Sequence, residues 1–344
     1  MPNEREYAMK LTNTYHDPQR REMLVAGLME RHDVPGLSMT ALVGGRMAGT
    51  HCYGTADRET GAPVLPSTVF EAASLTKPLF ACMVLRRVEA GLLSLDAPVA
   101  PLLPEPKLSH DPRMEAVTPR QILSHATGLP NWAAKPLEFA FDPGGGFRYS
   151  GEGYYFLQRA LERQEQTGLP RQLEREFFSP WGMTSSAGVW HAGLPMARGH
   201  LAEGGLRARR SEVDKTGNAP EPNAAWSLYT STSDYALFLT RLLEGRGGLS
   251  QPMFEAMLSP QNSVNNALTW GLGWGLVKRS PDVFWHWGDN TGYKNLTVTD
   301  RATGDGLVLF TNSDTGFPFT TLLAAELTDG DFFDDIEGFV NFAE

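Results

Sequence analysis

Segments with the pattern of β-strands lie near the two ends of the chain, separated by a long stretch that reads as helices and loops. Residues 37–43 and 46–53 are extended runs joined by Gly44-Gly45, a two-residue turn that can adopt positive φ and so predicts a hairpin. Further strands are predicted at residues 270–277, 283–287, 293–299 and 306–311. We therefore expect strands from both ends to complete one antiparallel sheet, with the middle forming another layer.

Apolar residues at helical spacing predict helices at both ends of the chain and through its middle. The predicted helices cover residues 18–31, 77–90, 118–125, 153–163, 170–178, 231–243 and 319–327. Residues 203–223 are polar and rich in turn formers, which predicts an exposed loop. The expected fold class is α/β (α+β), with a discontinuous sheet domain at 18–73 and 231–330, flanked by the terminal helices, and a mostly helical domain at 74–230.

The charge balance argues against nucleic acid as a partner. The 344 residues include 30 basic and 40 acidic side chains, a formal charge of −10, and no basic run forms a stripe that could track phosphates. No segment offers the ~18 uninterrupted apolar residues of a membrane span, and the first six residues lack the features of a signal peptide. We expect a soluble, cytoplasmic protein, although export stays open, and the sequence leaves the oligomeric state unknown.

Cysteine and histidine usage gives no sign of a metal site or a disulfide framework. Cys52 and Cys82 are the two cysteines, they form no C-x-x-C pair, and both are expected to be reduced core residues. The eight histidines are scattered, without the spacing of a metal-binding motif. We therefore expect no metal and no cofactor.

The strongest chemical signal is Ser74-Leu75-Thr76-Lys77, an S-x-x-K at the predicted opening of a helix. A spacing of three places the hydroxyl and the amine on the same face, one turn apart. A serine hydroxyl is a weak nucleophile that needs a base, and a desolvated amine can be neutral enough to serve. A helix that starts at Ser74 would also aim backbone N–H groups at developing negative charge. S-x-x-K alone occurs often by chance, so its context must decide.

That context resembles the class C β-lactamase and D,D-peptidase superfamily, which includes carboxylesterase-like serine hydrolases of family VIII. The resemblance covers roughly residues 20–325, and it rests on an ordered set of segments that is far more specific than S-x-x-K. The segments are 54–57, 70–77, 91–99, 103–105, 118–130, 180–184, 229–234 and 270–274. It implies a β-lactamase/transpeptidase-like fold, with Ser74 as nucleophile and the active site between the sheet and the helical domain. His125 falls in one of these segments, and we expect it to support the site rather than react.

The second element of the superfamily is Tyr-x-Asn after a Pro-Gly turn, found here in Pro143 to Glu152. Tyr149 matches the tyrosine, whereas Gly151 stands at the asparagine position. The resemblance implies that Tyr149 exchanges protons with the serine and the leaving group, with a pKa lowered by the nearby lysine cation. The missing amide removes a group that the superfamily uses on the lysine and on substrate amides.

The third element is K-T-G in β-lactamases and H-x-G in esterase- and peptidase-like relatives, and this chain contains both strings. Residues 215–217 (Lys-Thr-Gly) lie in the polar loop, so we treat them as a chance match. His286-Trp287-Gly288 ends a predicted strand and is the better candidate. The resemblance implies that His286 donates a hydrogen bond to substrate, Trp287 lines the site, Gly288 lets substrate approach the strand, and Asp289 N–H joins Ser74 N–H in an oxyanion hole.

These residues predict a serine hydrolase that forms an acyl-enzyme on a small-molecule ester or amide. Replacement of the third-element lysine by His286 removes a permanent cation that would hold a substrate carboxylate, which favours esterase-like activity. A D-amino-acid peptidase or weak β-lactamase is the second reading. The third is a homologue that has lost catalysis and binds a ligand or partner protein, a reading that Gly151 keeps open.

Overall fold

The computed structural model describes residues 8–103, 111–132, 137–207 and 221–343. The chain begins with the helices α1 (Asn13–His16) and α2 (Pro18–Arg31). The strands β1 (Gly36–Val43), β2 (Arg46–Asp57), β3 (Ala62–Pro63) and β4 (Phe70–Ala73) follow. The hairpin predicted at Gly44-Gly45 is present, and both glycines have positive φ (57° and 79°).

The middle of the chain is mainly helical. Its α-helices are α3 (Thr76–Glu89), α4 (Pro119–Leu123), α5 (Gly151–Glu165), α6 (Leu169–Leu173) and α7 (Ser179–Trp181). A capping box between Thr118 and Gln121 fixes the start of α4, because each side chain satisfies a backbone N–H of the other residue. The single helix predicted at 170–178 is wrong in part: α6 passes into one π-helical turn before α7, where Pro180 cannot supply a backbone N–H.

The last part of the chain returns to strands. It contains β5 (Leu228–Thr230), α8 (Thr232–Gly245), α9 (Gln251–Met257), β6 (Asn262–Ser263), β7 (Leu268–Trp270), β8 (Gly275–Val277), β9 (Ser280–Asn290), β10 (Tyr293–Asp300), β11 (Gly306–Thr311), α10 (Gly316–Leu327) and α11 (Phe333–Ala343). The strand predicted at 270–277 is two strands. Gly273, with φ of +92°, turns the chain between them where a Cβ would overlap Ala81, and the Gly271 N–H donates to the Trp274 carbonyl. Helix α11 was not predicted.

Within the described residues, nine strands form one antiparallel sheet in the order β3-β2-β1-β11-β10-β9-β8-β7-β6. Strand β1 from the start of the chain pairs with β11 from its end, which confirms the predicted closure of the sheet and the α+β class. A second, two-stranded sheet joins β4 to β5. The division into domains at residues 74 and 231 stays a prediction.

Alternation along the strands divides the core between the two faces of the large sheet. On β11, Leu307 and Leu309 belong to one hydrophobic cluster, with residues of α2, α10 and α11, while Val308 and Phe310 belong to the other, with residues of α3 and α8. The sheet is therefore covered by helices on both faces. None of the helices in the described part of the chain is both long enough and apolar enough to cross a membrane.

Candidate active site

Ser74 lies in the turn between β4 and α3, at the end of the two-stranded sheet. The preceding residue, Ala73, has φ of +53°, a left-handed conformation that costs a residue with a Cβ roughly 1 kcal/mol. The Thr76 hydroxyl holds this turn, donating to the Ala73 carbonyl (2.6 Å) and accepting from Leu228 N–H (2.9 Å). Helix α3 begins at Thr76, one residue before the predicted helix at 77–90, and Ser74 lies in the tight turn before it rather than starting the helix. Ser74 is partly exposed within otherwise buried neighbours.

Lys77 is fully buried in the first turn of α3, with its Nζ 3.0 Å from Ser74 Oγ. It also donates to the Ala225 carbonyl (2.9 Å) and lies 4.6 Å from the centre of the Tyr149 ring. Burial lowers the pKa of Lys77 well below its usual value, with no opposing contribution from a carboxylate among the described residues. A neutral amine beside Ser74 can accept the hydroxyl proton, as the sequence predicted.

Tyr149 lies just before α5, and its ring packs between those of His125 (centroids 4.3 Å apart) and Trp287 (4.5 Å). Burial raises the pKa of Tyr149 well above its usual value, the Asp289 carboxylate raises it further, and interaction with the Ser74 hydroxyl lowers it only in part. The two hydroxyls do not reach hydrogen-bonding geometry. The predicted lowering of the pKa of Tyr149 by Lys77 is therefore wrong, because desolvation of the buried phenol dominates and Lys77 makes no opposing contribution. Tyr149 is a neutral phenol that can donate a proton.

His125 fastens the backbone on both sides of Tyr149. Its carbonyl accepts the Arg148 N–H (2.9 Å), and its Nδ1 accepts the Ser150 N–H (3.1 Å). Since Nδ1 accepts, the ring proton must lie on Nε2, and burial lowers the pKa of His125 well below its usual value, so the ring is neutral. His125 has φ of +54°, a conformation that histidine tolerates better than most residues. The expectation that His125 supports the site agrees with these contacts.

His286 lies on β9 and is fully buried beside Tyr149, with ring centroids 6.3 Å apart. Burial, and then the nearby Lys77, lower the pKa of His286 to about 3, so the imidazole is neutral at pH 7. Nδ1 lies 2.7 Å from the Trp287 carbonyl, to which it must donate, and Nε2 is therefore an acceptor. The predicted role of His286 as hydrogen-bond donor to substrate is wrong for this arrangement, because its one N–H is already used.

The predicted place of Trp287 beside the site stays a prediction that its contacts allow, whereas the predicted role of Gly288 needs a correction. Trp287 is buried and packs on the Tyr149 ring, and with Trp285 it contacts Phe339 in the core. A Cβ at Gly288 would lie 2.1 Å from the Ala72 carbonyl oxygen. The glycine therefore admits the chain's own β4, which carries the nucleophile, rather than a substrate.

Asp289 is near the end of β9, where the backbone can face Ser74. The pair Asn290 and Tyr293 closes the tight turn between β9 and β10, so alternation makes the next pair, Asp289 and Lys294, one that does not exchange backbone hydrogen bonds. The Asp289 N–H consequently points away from β10, and β9 is one of the strands that β4 contacts. The Asp289 carboxylate forms an ion pair with Lys294. The oxyanion hole of Ser74 and Asp289 N–H groups stays a prediction that this geometry allows.

Glu71 joins the two sheets beneath the site, a contact the sequence analysis missed. Its side chain is 2% exposed and accepts hydrogen bonds from Arg207 (2.9 Å) and from the Asn290 amide (2.8 Å). The Glu71 carbonyl accepts from the Asn295 amide (2.9 Å). A glutamate in a short apolar segment three residues before the nucleophile was the only signal in the sequence. These contacts hold β4 against the turn that carries Asp289.

Gly151 begins α5, and an aromatic ring occupies the place where a side chain would stand. A Cβ at Gly151 would lie 2.5 Å and 2.6 Å from two atoms of the Trp132 ring, and 2.9 Å from the Asn131 carbonyl oxygen. Trp132 is 49% exposed. The Lys215-Thr216-Gly217 string, treated as a chance match, lies outside the described residues.

Comparison with known proteins finds relatives over most of the chain. The family model described as Beta-lactamase matches residues 22–329. Esterase EstB of Burkholderia gladioli is 29% identical over 355 residues, covering 83% of this chain and 88% of that protein. Penicillin-binding protein 4* of Bacillus subtilis is 25% identical, covering 89% of this chain and 74% of that protein.

Solved structures share the fold. The octameric penicillin-binding protein homologue from Pyrococcus abyssi superposes with a TM-score of 0.76 at 22% identity, covering 90% of this chain and 77% of that one. The D-alanine carboxypeptidase AmpC from Burkholderia cenocepacia gives a TM-score of 0.75 at 19% identity, covering 90% and 99%. At these identities the likeness supports the β-lactamase/transpeptidase fold alone.

Proposed function

The chain belongs to the beta-lactamase family of serine hydrolases, and from that premise we propose that it hydrolyses small-molecule esters through an acyl-enzyme on Ser74. The observation that carries the proposal is the 3.0 Å approach of the buried Lys77 amine to the Ser74 hydroxyl. Burial lowers the pKa of Lys77, so the amine can be neutral at pH 7 and take the proton as Ser74 attacks.

In the proposed reaction, Ser74 Oγ forms a bond to the ester carbonyl carbon while its proton passes to Lys77. The negative charge that develops on the carbonyl oxygen is held by the backbone N–H groups of Ser74 and Asp289. When the carbon–oxygen bond to the alcohol breaks, the neutral Tyr149 phenol protonates the leaving group, and the proton held on Lys77 restores the phenol. Water then cleaves the acyl-enzyme by the reverse sequence, releasing the acid and regenerating Ser74.

Two features favour an ester over an amide or a β-lactam. The chain has Gly151 where the superfamily has the asparagine that binds substrate amides, and the Trp132 ring occupies that place. His286 is neutral, so the third element offers no cation to a substrate carboxylate. The 29% identity to an esterase over most of both chains points the same way.

The experiment compares the wild-type protein with Ser74→Ala, and with Ser94→Ala, an exposed loop serine, as control. We expect a fluorophosphonate probe to label the wild type and Ser94→Ala but not Ser74→Ala. p-Nitrophenyl acetate should be turned over more efficiently than nitrocefin or a D-alanyl amide, and rapid quenching followed by intact-mass measurement should show the acetyl group on Ser74. Labelling and turnover that survive in Ser74→Ala would end the proposal, and faster nitrocefin or amide turnover would replace the ester assignment.

We also propose a cytoplasmic location. Cys52 and Cys82 are both unpaired thiols, which suits a reducing compartment. Fractionation of cells that express the native gene tests this, and recovery of the protein outside the cytoplasm would overturn it.

A further inference from the structure

Trp132 differs from the other tryptophans near the site in being open to solvent. Trp270, Trp274, Trp285 and Trp287 are all buried, whereas Trp132 is 49% exposed. One edge of its ring lies against Gly151, two residues after Tyr149. A single exposed apolar side chain is ordinary on a protein surface, but this one packs on the residue that stands at the superfamily's asparagine position.

The backbone N–H groups at the start of α5, next to Trp132, all have acceptors within the protein. Asn131 accepts the Gly151 N–H through its side chain (3.0 Å), and its carbonyl accepts the Gly151 and Glu152 N–H groups (both 3.2 Å). The next N–H, that of Gly153, donates to the Ser150 hydroxyl (3.0 Å). These three N–H groups are therefore not available to a substrate carbonyl or carboxylate, and the exposed indole is the apolar surface next to them.

We infer that Trp132, admitted by Gly151, forms an apolar wall of the substrate site and selects esters that carry an aromatic ring or a bulky apolar group. Gly151 and Trp132 act as a pair: any side chain at 151 would displace the indole, and the indole fills the space that an amide at 151 would need. An aromatic group can stack on the indole or meet it edge to face, an arrangement that strengthens binding beyond the area buried. This inference rests on the proposed ester hydrolysis and names the substrates of the same site.

The first test measures kcat/KM for p-nitrophenyl phenylacetate relative to p-nitrophenyl acetate, and for phenyl acetate relative to ethyl acetate. The first ratio varies the acyl group and the second the alcohol. In Trp132→Ala we expect at least one ratio to fall about tenfold, whereas Trp132→Phe keeps most of it. Leu92→Ala, which removes an exposed apolar side chain from a loop, should leave both ratios unchanged. Ratios within twofold of wild type in Trp132→Ala would overturn the inference.

A second test does not depend on turnover, so it separates this inference from the proposed function. In Ser74→Ala, which can bind the esters without the nucleophile, titration calorimetry should show that p-nitrophenyl phenylacetate binds about tenfold more weakly once Trp132→Ala is added. If wild-type protein shows no Ser74-dependent turnover, the proposed function fails while this binding comparison still decides the role of Trp132. Equal affinity with and without the indole would overturn the inference whatever the activity.

A third test examines the pairing itself through thermal stability. Gly151→Ala should lower the melting temperature, because its Cβ meets the indole, and adding Trp132→Ala should recover part of the loss. Strictly additive shifts would show that the two positions do not share the space, and would overturn the pairing.

Discussion

The two segments that bring the reacting groups together are held in different ways. Ser74 and Lys77 lie three residues apart, so the spacing of the chain alone brings their side chains together, and contacts with Ala225 and Leu228 then hold the turn. Tyr149 has no such local support, because it precedes α5 in a stretch without regular structure. Its position depends on His125, 24 residues earlier in the chain, and on Trp287 of β9.

The difference shows that one half of the site is specified by spacing and the other half by tertiary contacts. Substitutions in the Ser74 segment should act on the chemistry directly. Substitutions around Tyr149 should act indirectly, by displacing the Tyr149 hydroxyl while the tyrosine itself is unchanged.

Lys77→Met should have the largest effect. Loss of the base should lower kcat/KM about 10³-fold, since a positioned proton acceptor contributes two to four orders of magnitude. The free energy of unfolding at pH 7 should stay equal or rise, because a buried amine without a carboxylate partner is replaced by an apolar chain of similar length. Steady-state kinetics and urea denaturation measure both quantities.

The same variant gives a pH dependence with a defined sign. The pKa of Lys77 is lowered in the folded protein, so between that pKa and the usual 10.5 the unfolded chain binds more protons. Wild type should therefore gain stability relative to Lys77→Met as pH rises from 7 to 9. A stability difference that does not change with pH would contradict the burial of a neutral lysine.

Tyr149→Phe should lower kcat about 10²-fold while the fold remains intact, because the ring contacts with His125 and Trp287 do not need the hydroxyl. The control is Tyr293→Phe, another buried tyrosine, whose hydroxyl donates to the Ala197 carbonyl (2.7 Å). Its kcat should stay near wild type. Equal losses in the two variants would mean that general destabilisation, rather than proton transfer, explains the effect.

His125 is predicted to act as a positioning residue for Tyr149. His125→Leu leaves the Ser150 N–H without an acceptor and should lower kcat about tenfold with little change in KM. His125→Asn keeps an acceptor near the Nδ1 position and tolerates positive φ, so kcat should largely recover. Parallel melting curves distinguish the outcomes. If kcat falls with the melting temperature whether or not residue 125 can accept a hydrogen bond, His125 contributes to core packing and does not position Tyr149.

The smallest expected effect concerns the strain before the nucleophile. Ala73→Gly relieves the positive φ and should change the free energy of unfolding by less than about 1 kcal/mol, without destabilising. Ala72→Gly, one residue earlier and equally buried, relieves no strain and should cost about 1 kcal/mol. Denaturant titrations of both variants measure the difference, and equal losses would show that the turn at Ala73 carries no strain.

The sequence predicted the elements whose signals are local. Helix α2 has the predicted bounds, the hairpin at Gly44-Gly45 is present, and β11 lies where it was expected. The serine hydrolase family was also predicted correctly, since its segments recur in order along the chain. In each case the residues on which the prediction rests are close together in the sequence or form a short motif.

What the sequence could not predict depends on contacts between distant residues. The proton positions on His125 and His286 follow from which carbonyl or N–H each ring meets in the fold. The exclusion of a side chain at Gly151 depends on a ring 19 residues earlier. Spacing rules carry no information about such pairs, so the roles assigned to His286 and Gly288 had to be corrected.

The contact of Glu71 with Asn290 and Asn295 has a consequence for how the protein loses function on heating. The proposed oxyanion donors are Asp289 on the large sheet and Ser74 in the turn that directly follows β4 of the small sheet, and side chains rather than a shared ladder of backbone bonds fasten these two sheets together. A small displacement of one sheet relative to the other would separate the two N–H donors, although every strand of both sheets would stay paired. The rate of turnover therefore reports on the contact between the two sheets. We expect it to fall at temperatures where circular dichroism still records a folded protein.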